Sequence, residues 1–197
     1  MSGPALACLG DSLTQGWGLA PDQALPVQLQ DLLRQAGQAC TVRNFGISGE
    51  TAADGLRRVE AVRRAGPDAV IVEFGANDAF LDRAPAQVEA DLDAICARLA
   101  PRPLLLTGFD AGAVGESADP AYVRAFNPVF ARVAARHGAL FFPDVTAPFL
   151  NDPGKLLADG FHPDAAGVLA LARALLPLAL ELCARTRRSR NAGGQDD

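Results

Sequence analysis

A serine hydroxyl, an imidazole and a carboxylate together can transfer an acyl group. The imidazole takes the serine proton, and the carboxylate fixes which ring nitrogen is free to do so. The chain contains five serines and two histidines, so the combinations can be enumerated. Ser12 follows the apolar run Ala5-Leu6-Ala7-Cys8-Leu9 and the pair Gly10-Asp11, where a buried strand is expected to stop. In an open parallel sheet, chemistry lies just beyond the carboxyl ends of the strands. Asp11 and Ser12 would serve equally well as caps of the turn leaving that strand. His162 stands in Asp159-Gly160-Phe161-His162-Pro163-Asp164, ahead of the last helical stretch, with Pro163 suited to a first helical position. Asp159, three residues earlier on a turn, is within reach of the ring. A helix N-terminus disfavours imidazolium while a carboxylate favours it, an opposition suited to a base working near neutral pH. The same turn could be a plain helix cap. His137, beside Gly138 at the end of a helical run, reads as a structural C-terminal histidine.

An oxyanion needs donors aimed from a fixed frame. The candidates are the backbone N–H groups of Ser12 and Gly49 and the side-chain amide of Asn77, although Gly49 could serve only a turn and Asn77 only a helix cap. The order Ser12, Asp159, His162 is that of α/β-hydrolases. No serine here sits in Gly-x-Ser-x-Gly, however, and Gly46-Ile47-Ser48-Gly49-Glu50 misses it by one position.

The elements that must position these residues alternate. Short apolar runs at 5–9, 40–44, 69–74, 103–107 and 139–142 read as strands. Helical patterns fall near 25–35, 52–64, 86–99, 122–136 and 164–183, with breakers at Gly37, Gly66-Pro67, Pro101 and Gly138. This βα repetition predicts an α/β fold: a three-layer α/β/α sandwich around a flavodoxin-like parallel sheet of about five strands, in the order 2-1-3-4-5. That order makes neighbours of the segments beginning at Gly10, Gly46 and Gly75. The stretch 108–120, rich in Gly and Ala, is long for a βα connection and reads as a substrate loop or a surface insertion.

The 197 residues suit one domain, expected over 1–184, with 185–197 a solvated, unfolded tail carrying Arg185, Arg187, Arg188 and Arg190. A net charge of −5 argues against nucleic acid as a partner. Cys8, Cys40, Cys96 and Cys183 form no C-x-x-C pair and read as buried free thiols. With two histidines and no ligand spacing, no metal is expected. No segment is expected to span a bilayer. The chain carries no recognisable export signal and is expected to be cytoplasmic, or periplasmic or secreted if such a signal preceded it.

Gly10-Asp11-Ser12-Leu13, Gly49 within the segment Asn44 to Thr51, Gly75-Ala76-Asn77-Asp78, and Asp159-Gly160-Phe161-His162-Pro163 together resemble the four blocks of the SGNH/GDSL hydrolases. The likeness is closest to the small bacterial branch of acyl-CoA thioesterases, lysophospholipases and arylesterases. The resemblance implies Ser12 as nucleophile, His162 as base, Asp159 as its partner, and an oxyanion hole from Ser12, Gly49 and Asn77. It implies a cofactor-free hydrolase acting on a small acyl ester or thioester. Two departures stand out: Ala76 replaces a glycine common in the branch, and the segment after the fourth strand lacks the branch's Arg-Leu-Pro and Asn-Tyr-Gly patterns. Carbohydrate O-deacetylation uses the same blocks and is the alternative activity, and a non-catalytic flavodoxin-like binding module is the alternative class. Leu13, Phe80, Leu81, Phe109 and Phe161 are expected around the rim as an apolar acyl-binding surface.

Overall fold

Parallel strands buried on both faces need unbroken apolar sequence, and this chain supplies it in the middle of its sheet. The computed structural model describes residues 3–114 and 119–192. Strands β1 (Ala5–Gly10), β2 (Thr41–Gly46), β3 (Ala69–Glu73), β4 (Leu104–Thr107) and β5 (Leu140–Phe142) form one parallel sheet in the order β2-β1-β3-β4-β5. β3 and β4 are wholly buried, whereas edge strand β2 alternates and keeps Arg43 and Asn44 toward solvent. Helices α1 (Ser12–Gln15), α2 (Leu25–Gln35), α3 (Ala52–Arg64), α4 (Ala76–Phe80), α5 (Pro85–Leu99), α6 (Pro120–Phe126), α7 (Pro128–Arg136) and α8 (Ala165–Ala192) complete the chain. α2 packs with α8 on one face, and α3 with α5 and α7 on the other. This is the α/β/α sandwich and the strand order expected from the sequence.

Four expectations change. The helix foreseen over 122–136 is two helices, because Pro128 lacks the N–H that would continue the ladder and instead opens α7. The one-turn helices α1 and α4 were not foreseen, being too short to show a period. Helix α8 runs to Ala192, so 185–192 is not an unfolded tail. Arg185 and Arg188 pair with Glu181, Arg185 also donates to the Gly138 carbonyl, and Arg187 bonds Gln38, which ties that end to the body. Residues 193–197 lie outside the described residues. Lastly, an 18-residue stretch within Ala165–Arg188 has mean hydropathy 1.8, long and apolar enough by length and composition alone to cross a membrane, where no such segment was expected. Part of that apolarity is spent on packing: Val168, Leu171, Leu175, Ala179 and Leu182 are buried in the core.

The cysteines and His137 stand as the sequence suggests. All four cysteines are free and buried, and desolvation pushes the Cys96 thiol up to about 12. His137 Nε2 lies 2.8 Å from Asp93 Oδ1, a structural contact. Of the 108–120 stretch, the first part is pinned rather than loose: Asn127 Nδ2 donates to Asp110 Oδ1 at 2.7 Å and its Oδ1 accepts from the Ala111 N–H at 2.9 Å. Residues 115–118 lie outside the described residues.

The carboxyl end of β1 is closely packed. A Cβ on Gly10 would lie 2.2 Å from Thr14 Oγ1 and 2.6 Å from both the carbonyl and the Oε2 of Glu73. Gly10→Ala is therefore expected to destabilise the protein by about 1–3 kcal/mol, the usual range for over-packing. Urea denaturation measures this, and an unchanged midpoint would contradict the packing described.

Candidate active site

Three loops at the carboxyl edge of the sheet converge on Ser12. The β1 strand ends at Gly10, and Asp11 caps α1 by accepting from the Leu13 N–H at 3.0 Å. α1 lasts one turn because Gly16, at φ +88°, terminates it in the left-handed conformation. Ser12 thus sits in the first turn, where N–H groups have no intrahelical acceptor. After β2 the chain turns through Gly49 (φ +82°) before Thr51 caps α3 in a reciprocal box with Asp54. The Gly49 N–H has no backbone acceptor among the described residues. After β3, Gly75 at φ +130° starts α4, where a side chain would strike the Phe130 ring at 2.7 Å. Ala76 follows as the first residue of α4, where its methyl is buried.

The fourth segment comes from far along the chain. His162 Nε2 lies 2.9 Å from Ser12 Oγ, across a separation of 150 residues. Its Nδ1 lies 2.6 Å from Asp159 Oδ2, and Asp159 Oδ1 accepts from the N–H groups of Phe161 and His162, each at 3.0 Å. Partial burial pulls the Asp159 carboxyl up, but those N–H donors and the imidazole outweigh it and hold the group below the usual carboxylate range. A carboxylate so fixed leaves Nε2 as the nitrogen free to accept the serine proton.

Behind Ser12 the electrostatics are set by buried carboxyls. Asp11 and Asp78 are fully buried and Glu73 nearly so. Glu73 Oε2 accepts from Thr14 Oγ1 at 2.8 Å and from the Asp11 N–H at 3.4 Å. Its Oε1 has no hydrogen-bond partner among the described residues. Desolvation raises the proton affinity of Asp11 and of Glu73, and the charge of Glu73 raises Asp11 further. Asp78 is raised by desolvation too, less so because the Ala52 N–H (2.9 Å) and Arg83 (2.6 Å) bond its oxygens. Asn77 Nδ2 donates to Asp11 Oδ2 at 3.1 Å and to the Glu50 carbonyl at 2.9 Å, which fixes the amide with its nitrogen toward the site.

Ser12, Trp17, Ser48, Gly49, Asn77 and His162 line one open depression of about 300 Å³. The structure therefore brings together all five residues singled out for chemistry. The expected apolar rim divides. Phe80 and Leu81 are exposed, at 47% and 66%, and Phe161 is partly exposed, edge-on to Phe80 at 5.0 Å. Leu13 and Phe109, each 1% exposed, are core and not rim, because α1 and the loop after β4 turn them inward. Sequence reasoning missed Trp17 and Glu73. The first is the chain's single tryptophan, five residues past Ser12, and the second is a carboxylate ending an otherwise apolar strand; both signals were present.

Comparison with known proteins agrees with this arrangement. The model of the GDSL-like Lipase/Acylhydrolase family matches residues 8–169. Esterase TesA of Pseudomonas aeruginosa is 33% identical over 161 residues, covering 80% of this chain and 79% of the relative. Thioesterase 1/protease 1/lysophospholipase L1 of Escherichia coli is 30% identical over 181 residues, covering 88% and 84%. A crystal structure of TesA superposes with a TM-score of 0.83 at 30% identity, covering 90% of this chain and 99% of that one. With four sequence blocks, the sheet order and these relatives in agreement, the chain belongs to the GDSL-like lipase/acylhydrolase family and is an ester-cleaving serine hydrolase.

Proposed function

We propose that Ser12 is the nucleophile, His162 the general base and acid, and Asp159 the group that orients it, acting on carboxylic esters and thioesters of small acids. In the first step Ser12 Oγ attacks the carbonyl carbon while His162 Nε2 takes the hydroxyl proton. The tetrahedral oxyanion lies against the N–H groups of Ser12 and Gly49 and shares an Asn77 amide hydrogen. Collapse expels the alkoxide or thiolate, which receives the proton from His162, and leaves an acyl-serine. Water then attacks with His162 again as base, releasing the acid and restoring Ser12. The reading rests above all on the unbroken relay from Ser12 Oγ through the imidazole to Asp159, built from opposite ends of the chain at 2.9 and 2.6 Å.

Phe80 and Leu81, on the β3 side of Ser12, offer apolar surface to the acyl chain. A buried methylene contributes up to about 0.8 kcal/mol, or roughly fourfold in kcat/KM. On a series of p-nitrophenyl esters, kcat/KM should therefore rise from acetyl toward medium chains and exceed that for acetylated xylose. A steady fall from acetyl upward, with efficient sugar deacetylation, would move the assignment to carbohydrate O-deacetylation.

The pH dependence follows from Asp159. Held below the usual carboxylate range, it stays ionised on the acid side of neutrality and adds no step of its own to the loss of activity as pH falls. The acid limb of log kcat/KM between roughly pH 4 and 7 should have a slope of about one. Asp159→Asn should keep such a limb on a plateau lowered by roughly 10³–10⁴-fold. A wild-type slope near two would mean that Asp159 titrates together with His162 and would contradict the charge state assigned to it.

A further inference from the structure

The sheet order sorts the site into two sides. Ser12 follows β1, in the middle. Phe80 and Leu81 follow β3, on one side, whereas α1 leans the other way: Gly46, at the end of β2, passes so close beneath it that a Cβ there would lie 2.3 Å from the Gln15 nitrogen. Trp17, immediately after α1, and Ile47, immediately after β2, therefore stand on the β2 side. Among the described residues, Trp17 (51%), Ile47 (47%), Phe80 and Leu81 are the large hydrophobic side chains left exposed; Phe80 closes α4 and the other three follow elements at this rim. Only Trp17 lines the catalytic depression, with its ring centroid 6.0 Å from that of His162 and tilted at 45° to it.

Proton delivery decides which part of a substrate meets Trp17. In acylation, His162 Nε2 must hand its proton to the leaving oxygen, so the leaving group passes beside the imidazole and onto whatever surface adjoins it. The donors of Ser48, the polar side chain that lines the depression there, are already engaged: both its N–H and its hydroxyl donate to Gln15 Oε1, at 2.6 Å each. What remains is an aromatic face beside an aliphatic side chain.

We infer that Trp17 is a specificity-determining platform for the leaving group and that it selects flat, apolar alcohols such as phenols. The inference rests on the proposed roles of Ser12 and His162. An aryl ring stacked on Trp17 gains contact in acylation only and is gone once the acyl-enzyme has formed, so Trp17 should act on acylation and not on deacylation.

The test uses one acyl group with two leaving groups: phenyl butyrate and ethyl butyrate, hydrolysed by the wild type, Trp17→Ala and Trp17→Phe. The ratio of kcat/KM for the phenyl ester over the ethyl ester should fall about tenfold in Trp17→Ala and recover most of that in Trp17→Phe. Deacylation of the shared butyryl-enzyme, followed after a rapid burst, should keep its wild-type rate in both variants. The burst amplitude counts competent sites, so Trp17→Phe carries the comparison should Trp17→Ala fold poorly. An unchanged ratio, or a slowed deacylation that places Trp17 against the acyl group, would overturn the inference while leaving the serine hydrolase reading intact. A wild type that forms no acyl-enzyme from either ester would overturn both.

Discussion

Carboxyl groups are costly to bury, and this protein buries three directly behind Ser12. Each therefore demands donors, and the donors come from different loops. Glu73, ending β3, draws in Thr14 and the Asp11 N–H from the turn after β1. Asp11 draws in the Leu13 N–H and, from α4, the Asn77 amide. Asp78, also on α4, draws in the first N–H of α3, just past Gly49, and is closed off by Arg83. Three loops that the sheet merely places side by side are thereby locked together. Leaving one buried donor or acceptor unpaired costs about 1–3 kcal/mol, which makes the lock stiff. The donors proposed for the oxyanion are the outer surface of that lock.

The lock also accounts for the shape of the strand ends. Gly10 has no side chain because Glu73 fills the space that a Cβ would need. Glu73 Oε1 has no hydrogen-bond partner among the described residues, and burial raises the proton affinity of Glu73 and of Asp11 beside it. The relay through His162 is built differently. Asp159 is well exposed, stays ionised, and is positioned by two backbone N–H groups of its own turn. Buried carboxyls set geometry behind the serine, while a half-open carboxylate in front of it orients the imidazole.

Much of this was legible in the sequence because the signals were local. Apolar runs bounded by glycine gave the strands, and their alternation with helical patterns left few topologies. The four blocks marked Ser12, Gly49, Asn77, Asp159 and His162, which the fold gathers at one rim. What was not legible depended on packing between distant segments. Leu13 and Phe109 look like rim residues from their place beside the blocks, but a one-turn helix and a pinned loop rotate them into the core. Glu73 reads as the polar end of a strand until Gly10 is seen against it. Trp17 stands in a loop of no clear period, and only the neighbouring imidazole shows which face of the site it borders. The apolar sequence of α8, in turn, does not reveal how much of it faces the sheet.

The account stands on Ser12 carrying the acyl group. Quenching the protein in acid during turnover of p-nitrophenyl butyrate, then mapping the adduct by peptide mass spectrometry, tests this directly. One butyryl group on Ser12, with no adduct and no turnover in Ser12→Ala, is the predicted result. A butyryl group on another residue, or turnover that survives Ser12→Ala, would contradict it.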